Sequence, residues 1–412
     1  MNRFANRLCA GCAVLATVVT GCGLNSSGYT TATRFGDTAN PAERGSPIAE
    51  LRKACGNGER TPAGSVIHRE PYLQRVTPTT AILGWVTMVP EGERVIVTTP
   101  KGEPVAAVTA EVKLGAQRTA GEKQMWAHLE GLQPDSIYCY ALATLSPLTK
   151  PTGFRTAPAA DTPKTIRFLA FGDSGGGTTE QRALRDHMLK LPFDFIIHTG
   201  DIAYDNGAIA EFEDNVFAVY AELLRNLPLF PSAGNHDYHT LQGAPFDDVF
   251  VLPGEHGEKW YSYDWGRIHF AALDTEADYA AQAEWLDKDL AANQRPWKIV
   301  YMHRPLYSSG EHGSDMRLRG LLAPVLEKYH VQLVLTGHDH DYERMKPQNG
   351  VAYVVTGGGG RGTRPVGASS FTAFSEQVIH FVVVEVGLEQ LVLHAIDATG
   401  QEFDSLVVPR VR

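Results

Sequence analysis

The chain predicts an α/β layer structure with mixed sheets flanked by helices, preceded by a smaller all-β sandwich. From about residue 165 to 408, short apolar runs alternate with helix-length amphipathic segments, and the last runs are strand-like. From about 65 to 158, short alternating runs are separated only by turn residues. With 412 residues, 43% apolar and 20% charged, the chain is ordinary globular material for two or three domains of roughly 150 residues each. The net charge of −10 argues against nucleic acid as the main partner.

Residues 1–21 read as a signal peptide. Arg3 and Arg7 precede an apolar run over 8–19 that is too short to span a bilayer. Val19-Thr20-Gly21-Cys22 resembles a bacterial lipobox, which predicts lipid on Cys22 and an exported, membrane-anchored lipoprotein at the cell surface or facing the periplasm. Cys9 and Cys12 leave with the signal. Cys55 and Cys139 remain, and an oxidising compartment permits a disulfide between them without requiring it. Residues 22–64, rich in Gly, Ser, Thr, Asn and Pro, are expected to be a flexible tether.

The all-β part, 65–158, has candidate strands at 80–86, 94–98, 126–129 and 136–142. The run Leu132-x-Pro134-x-x-x-Tyr138-x-Tyr140 and the closing Phe154-Arg155-Thr156-Ala157-Pro158 resemble the end of a fibronectin type III domain. Trp85 is expected in its core, and no constellation for chemistry is visible there. After a linker at 157–164, strands are expected at 166–171, 193–198, 229–232, 261–264, 268–273, 298–302, 331–335, 351–355, 378–386, 390–396 and 403–408. Helices are expected at 180–191, 209–224, 279–292 and 316–329.

Short motifs follow five of these strands: Gly172-Asp173-Ser174-Gly175, Gly200-Asp201-Ile202-Ala203-Tyr204, Gly234-Asn235-His236-Asp237, the His303 that ends 300–303, and Gly337-His338-Asp339-His340. One Gly-Asp after a strand is usually a turn. Five such motifs with complementary ligand types, at the strand ends where α/β sheets bind ligands, point to two metal ions. Asp201 would bridge, since a carboxylate offers two oxygens. Asp173, Tyr204 and His340 would complete one side, and Asn235, His303 and His338 the other. Such a bridge sets ions about 3.5–4 Å apart, the spacing two-metal hydrolases use.

These motifs resemble those of the purple acid phosphatases, a branch of the calcineurin-like metallophosphoesterases, over about 165–408. Many relatives outside that branch carry Asp-x-His in the first motif, whereas here Gly175 stands there and Tyr204 is available instead. The resemblance implies an α/β metallophosphoesterase sandwich after a fibronectin III-like domain, with Fe(III) in the Tyr204 site and Zn, Mn or Fe(II) in the second. It also implies hydrolysis of small phosphate monoesters by a metal-activated hydroxide, with His236 and His312 assisting the leaving group.

Asp237 is placed to orient His236, and His312 lies in Ser309-Gly310-Glu311-His312-Gly313, nine residues after His303, as in the mammalian-type enzymes. Tyr342-Glu343-Arg344 is expected to brace the last ligand loop. Residues 357–360 read as a glycine-rich turn at the site rim, with Arg304, Arg361 and Arg364 as candidates for substrate phosphate. His187, His198, His269 and His380 read as structural. A phosphodiesterase or phospholipid headgroup hydrolase fits the same ligand set, and a non-catalytic surface binding protein is the remaining alternative.

Overall fold

The computed structural model describes residues 46–58, 65–88, 93–114, 118, 121–143, 149–254 and 259–411. The signal peptide, Cys22 and the first half of the tether lie outside them. The tether reading is corrected at its far end, where Pro47–Cys55 forms helix α1. Ile48 and Leu51 are buried beneath α1, and Cys55 is disulfide-bonded to Cys139. Pro47 at the first turn has no hydrogen bond to lose there, and two buried aliphatics supply a face. A composition rich in turn residues hid that face.

The first all-β region holds β1 (Ile67–Gln74), β2 (Ala81–Thr87), β3 (Arg94–Thr98), β4 (Pro104–Thr109), β5 (Glu111–Val112), β6 (Lys123–Leu129), β7 (Ile137–Ala143) and β8 (Thr152–Arg155). They form two four-stranded sheets, ordered β1-β2-β6-β5 and β4-β3-β7-β8, with every pairing antiparallel. Trp85 is fully buried, as expected.

The second region begins with β9 (Ile166–Phe171), α2 (Thr179–Met188) and β10 (Phe195–His198). The helix expected at 209–224 is present but not regular. It runs as α3 (Ile209–Glu211), a π-helical stretch Phe212–Phe217, and α4 (Ala218–Leu224). Then come β11 (Leu229–Pro231), α5 (Ala244–Val249), β12 (Tyr261–Trp265), β13 (Ile268–Ala272), α6 (Tyr279–Ala292), β14 (Trp297–Tyr301), α7 (Met316–Lys328) and β15 (Leu333–Thr336). The last strands are β16 (Tyr342–Met345), β17 (Ala352–Thr356), β18 (Thr372–Glu376), β19 (His380–Val386), β20 (Gln390–Asp397) and β21 (Glu402–Pro409).

One sheet is ordered β11-β10-β9-β19-β20-β21 and the other β12-β13-β14-β15-β17-β16-β18. The first sheet is parallel from β11 to β9 and antiparallel beyond, and the second pairs in parallel from β13 through β17 with antiparallel pairs at both ends, so both sheets are mixed. An aromatic layer joins the two: Phe168 meets Phe270, Phe195 meets Trp265, and Phe230 stacks on Tyr263 at 4.0 Å. A second core packs Leu286 and Leu290 of α6 and Leu318, Leu322 and Leu326 of α7 over the second sheet. The result is an α/β sandwich whose parallel strands all end on one side. That side carries the motifs.

The two regions are tied across their seam. Asn226 donates to Thr152 Oγ1 at 2.8 Å, Tyr140 donates to the Arg225 carbonyl at 2.7 Å, and Arg69 pairs with Glu213 of the π-helical stretch. Arg52 of α1 reaches Glu222 of α4 at 2.7 Å.

Candidate metal centre

Each candidate ligand sits just past a strand end, and three of them hold the left-handed backbone that non-glycine residues avoid: Asp173 (φ 57°), Asp201 (φ 52°) and His338 (φ 71°). Such conformations persist where surrounding contacts over-determine them. Here, backbone amides supply the contacts. The His338 amide donates to Asp173 Oδ2 at 2.9 Å, and the His236 amide donates to Asp201 Oδ1 at 2.8 Å. Each carboxylate therefore spends one oxygen on the backbone and turns the other inward. Asp201 Oδ2 faces both halves of the site, toward Tyr204 on one side and His303 on the other.

On one side, the Tyr204 hydroxyl lies 2.8 Å from Asp201 Oδ2, 3.1 Å from Asp173 Oδ1 and 3.1 Å from His340 Nε2. One hydroxyl proton faces three acceptors. Burial and the two carboxylates hold the phenol well above its ordinary range, so a phenolate forms there only against a cation.

On the other side, His303 donates from Nδ1 to the Thr199 carbonyl at 3.0 Å, which leaves Nε2 to look inward. Facing that nitrogen are Asn235 Oδ1 at 3.1 Å, His338 Nδ1 at 3.1 Å and Asp201 Oδ2 at 3.4 Å. Burial disfavours charge on His303, but the Asp201 carboxylate outweighs it and pushes the ring up to about 10. One proton on His303 Nε2 cannot serve all three facing atoms, whereas a cation in its place can be shared among them. Asp201, His303 and His338 offer ligand atoms within 4.8 Å of one another. The residues present fit two cations sharing Asp201.

Asp237 does not orient His236, as the sequence suggested. Its carboxylate is buried and accepts from the amides of Ile202 (3.0 Å), Ala203 (3.1 Å) and Gly234 (2.9 Å), fastening the Asp201 loop to the Asn235 loop. Burial first, and the Asp201 charge second, push it up to about 7. The His236 ring is held instead by the Asp205 carbonyl, which its Nδ1 meets at 2.7 Å, and its Nε2 lies 3.9 Å from Asp201 Oδ2.

His312 reaches the centre from the opposite wall, its ring 4.0 Å from that of His338. Of the three candidate arginines, Arg364 faces the His312 ring at 3.0 Å, and Arg361 pairs with Asp205 at 2.6 Å and lies over the Tyr204 ring. Arg304 pairs with Glu276 and stands 3.4 Å from His338 Nε2. Residues 357–360 pack beneath the site rather than at its rim, since a Cβ on Gly357 would meet Asp173 Oδ2 at 2.8 Å.

Tyr342-Glu343-Arg344 is strand β16, and Glu343 braces the His312 loop through the Ser309 amide at 2.6 Å. His198 and His380 are buried against Ser174 and Thr356 and contribute no ligand atom, although His198 feels the charges of His303 and Asp201. Sequence reasoning passed over Asn215, which donates to the Tyr204 carbonyl at 3.3 Å from within the π-helical stretch, and Asp339, which lies between two ligand histidines. An acid inside the last motif was the one available hint.

Residues 166–342 match the model for the family described as calcineurin-like phosphoesterase. The chain is 28% identical to tartrate-resistant acid phosphatase type 5 of Rattus norvegicus, over 62% of this chain and 92% of the rat protein. It is 30% identical to an Arabidopsis thaliana protein named "Probable inactive purple acid phosphatase 1", over 57% of this chain and 49% of that one. The chain thus spans about half the length of the plant relative. A purple acid phosphatase from yellow lupin (Lupinus luteus) seeds has the same fold, with a TM-score of 0.74 at 23% identity, covering 82% of this chain and 74% of the lupin one. The residues that match the family model include all seven candidate ligands.

Proposed function

We propose that the chain hydrolyses phosphate monoesters, with Fe(III) held by Asp173, Tyr204, His340 and Asp201, and a divalent ion (Zn, Mn or Fe(II)) held by Asp201, Asn235, His303 and His338. The observation that carries this reading is the convergence of buried acceptors on both sides of Asp201 Oδ2. Bound metals would supply Lewis acidity toward the phosphoryl oxygens and acidify a water. The protein's part is positioning. His236, tied through Nδ1 to Asp205, presents Nε2 to the substrate side, and His312 faces it across the site. Both are placed to give a proton to the leaving oxygen.

A phosphodiesterase reading retains one support. An open cleft of about 550 Å³ beside Arg304, lined also by Thr275, Glu276, Tyr279 and Arg317, has room for a second ester substituent. Hydrolysis of a chromogenic phosphomonoester and its diester analogue, with iron and zinc supplied, separates the two. A strong monoester preference is expected, and a diester preference would reassign the substrate while keeping the centre.

The same proposal places the enzyme outside the cytoplasm, anchored by lipid on Cys22. The Cys55–Cys139 disulfide supports an oxidising compartment. The first region is read as fibronectin III-like on its two-sheet order and on Tyr138, whose hydroxyl accepts from the Gln133 amide at 2.8 Å near the start of β7, the tyrosine corner of such sandwiches.

A further inference from the structure

Helix positions four apart share a face, and positions two apart look to opposite sides. That spacing gives the irregular helix from Ile209 to Leu224 two separate tasks. Glu211 and Asn215 face the Tyr204 loop. The Glu211 carboxylate accepts from the amides of Asp205 at 2.7 Å, Asn206 at 3.0 Å and Ala208 at 2.8 Å. Asn215 Nδ2 donates to the Tyr204 carbonyl at 3.3 Å, while the Tyr204 amide donates to the Gly175 carbonyl at 2.9 Å. Both backbone groups of this candidate ligand are held, one of them by the π-helical stretch. Asn215 has little room to turn. Its own carbonyl accepts from the buried Gln181 at 2.7 Å, and a Cβ on Gly177 would lie 2.6 Å from its Oδ1.

Glu213 looks the other way, into the first all-β region. Arg69 Nε of β1 donates to Glu213 Oε2 at 2.9 Å, and Arg118 Nη1, from the connection between β5 and β6, donates to Oε1 at 3.0 Å. Both arginine side chains are buried, 1% and 4% exposed. Gln124 Oε1 accepts from both, at 2.9 and 2.7 Å, and the Arg69 guanidinium lies 3.9 Å over the Phe217 ring. Buried guanidiniums need a carboxylate in place, and removing one partner leaves an unpaired charge. The seam therefore fixes Glu213, and Asn215 follows two residues on. We propose that the first all-β region is a part of the metal centre: Arg69 and Arg118, through Glu213, set the π-helical stretch so that Asn215 holds the Tyr204 backbone and aims its hydroxyl at the iron site. Arg69 and Asn215 are positioning residues, which touch neither metal nor substrate. This rests on the reading of Tyr204 as a ligand of Fe(III). π-Helical insertions recur at functional sites, and groups that orient a ligand from behind tune both affinity and electronic structure.

The position of the visible band reports the Tyr204–iron geometry in molecules that have folded, so a loss of stability alone does not move it. In the full-length protein loaded with iron and zinc, Asn215→Ala should shift the band maximum and weaken iron binding by about tenfold, while zinc in the second site is held as in the parent. Arg69→Met should shift the band in the same direction by a smaller amount. Arg69→Lys, which keeps a charge but loses the two-pronged grip on Glu213, carries the test if the methionine variant does not fold. In the Asn215→Ala background the Arg69 substitutions should add no further shift, because they act through Asn215. Asn226→Ala, which cuts the seam at Thr152 instead, should lower the melting temperature and leave the band in place. A band that stays in place in Asn215→Ala or in the Arg69 variants would overturn the inference and leave the Tyr204 reading intact. A parent protein that shows no band when loaded with iron would overturn that reading and this inference together.

Discussion

On one side of Asp201 the facing groups are a carboxylate, a phenol and an imidazole; on the other they are an amide and two imidazoles. The first side can lose a phenolic proton and bring two negative charges of its own, while the second brings none. Charge, more than geometry, distinguishes the halves, and a harder, more highly charged ion suits the first. Each half also anchors differently. The Tyr204 side is tied through the 201–206 loop to Asp237 and Glu211, whereas His303 is locked by a single backbone carbonyl, that of Thr199.

Removing what the halves share should have the largest effect. Asp201→Asn is expected to lose both ions and, with them, several kcal/mol of transition-state stabilisation, about a thousandfold in rate. Metal analysis and turnover check this, and retention of two ions would break the shared-ligand assignment.

Tyr204→Phe acts on one half alone. It should abolish the broad visible band of the iron-loaded protein, keep the divalent ion and cost about 10- to 100-fold in kcat. A band that persists in the variant would show that Tyr204 is not the chromophore.

Gly175→His tests why this half uses a phenol. A Cβ at Gly175 would lie 1.7 Å from the Ile202 carbonyl oxygen, so no side chain fits without moving the Asp201 loop. The substitution should not restore iron binding to Tyr204→Phe, and it should cost about 1–3 kcal/mol or more in thermal unfolding.

The smallest effect separates ligand histidines from buried ones. Burial lowers His198 to about 3 and His380 to about 4, both below the ordinary value of 6.5. Below pH 6.5 the unfolded chain takes up protons that the folded one refuses. Stability from these two sites is thus complete above that value and declines as pH falls toward 4. Melting temperatures at pH 7 and 5 should show the fall, and added metal should leave the part of the slope that comes from His380 unchanged.

Much of the α/β region was legible because its strands are short, apolar and bounded by glycine. The strand at 166–171 and the helix at 279–292 have the bounds expected of them. Strand β18, with its half-exposed pattern, and the short α5 gave no periodic signal and were missed. The π-helical stretch was invisible for another reason. Its apolar spacing reads as a helix, and the extra residue per turn comes from packing against Arg69 and from placing Asn215 on Tyr204.

Local chemistry determined the candidate ligand list: Asp173, Asp201, Tyr204, Asn235, His303, His338 and His340 could be named because each residue type can bind metal on its own account. Tertiary structure alone decided which oxygen or nitrogen each one turns inward, since that choice depends on amides and carbonyls brought from distant strands. For the same reason Asp237 became a loop fastener and Asp339 came to face His312. A carboxylate's partners are set by what folds against it, and its neighbours in the chain do not reveal them.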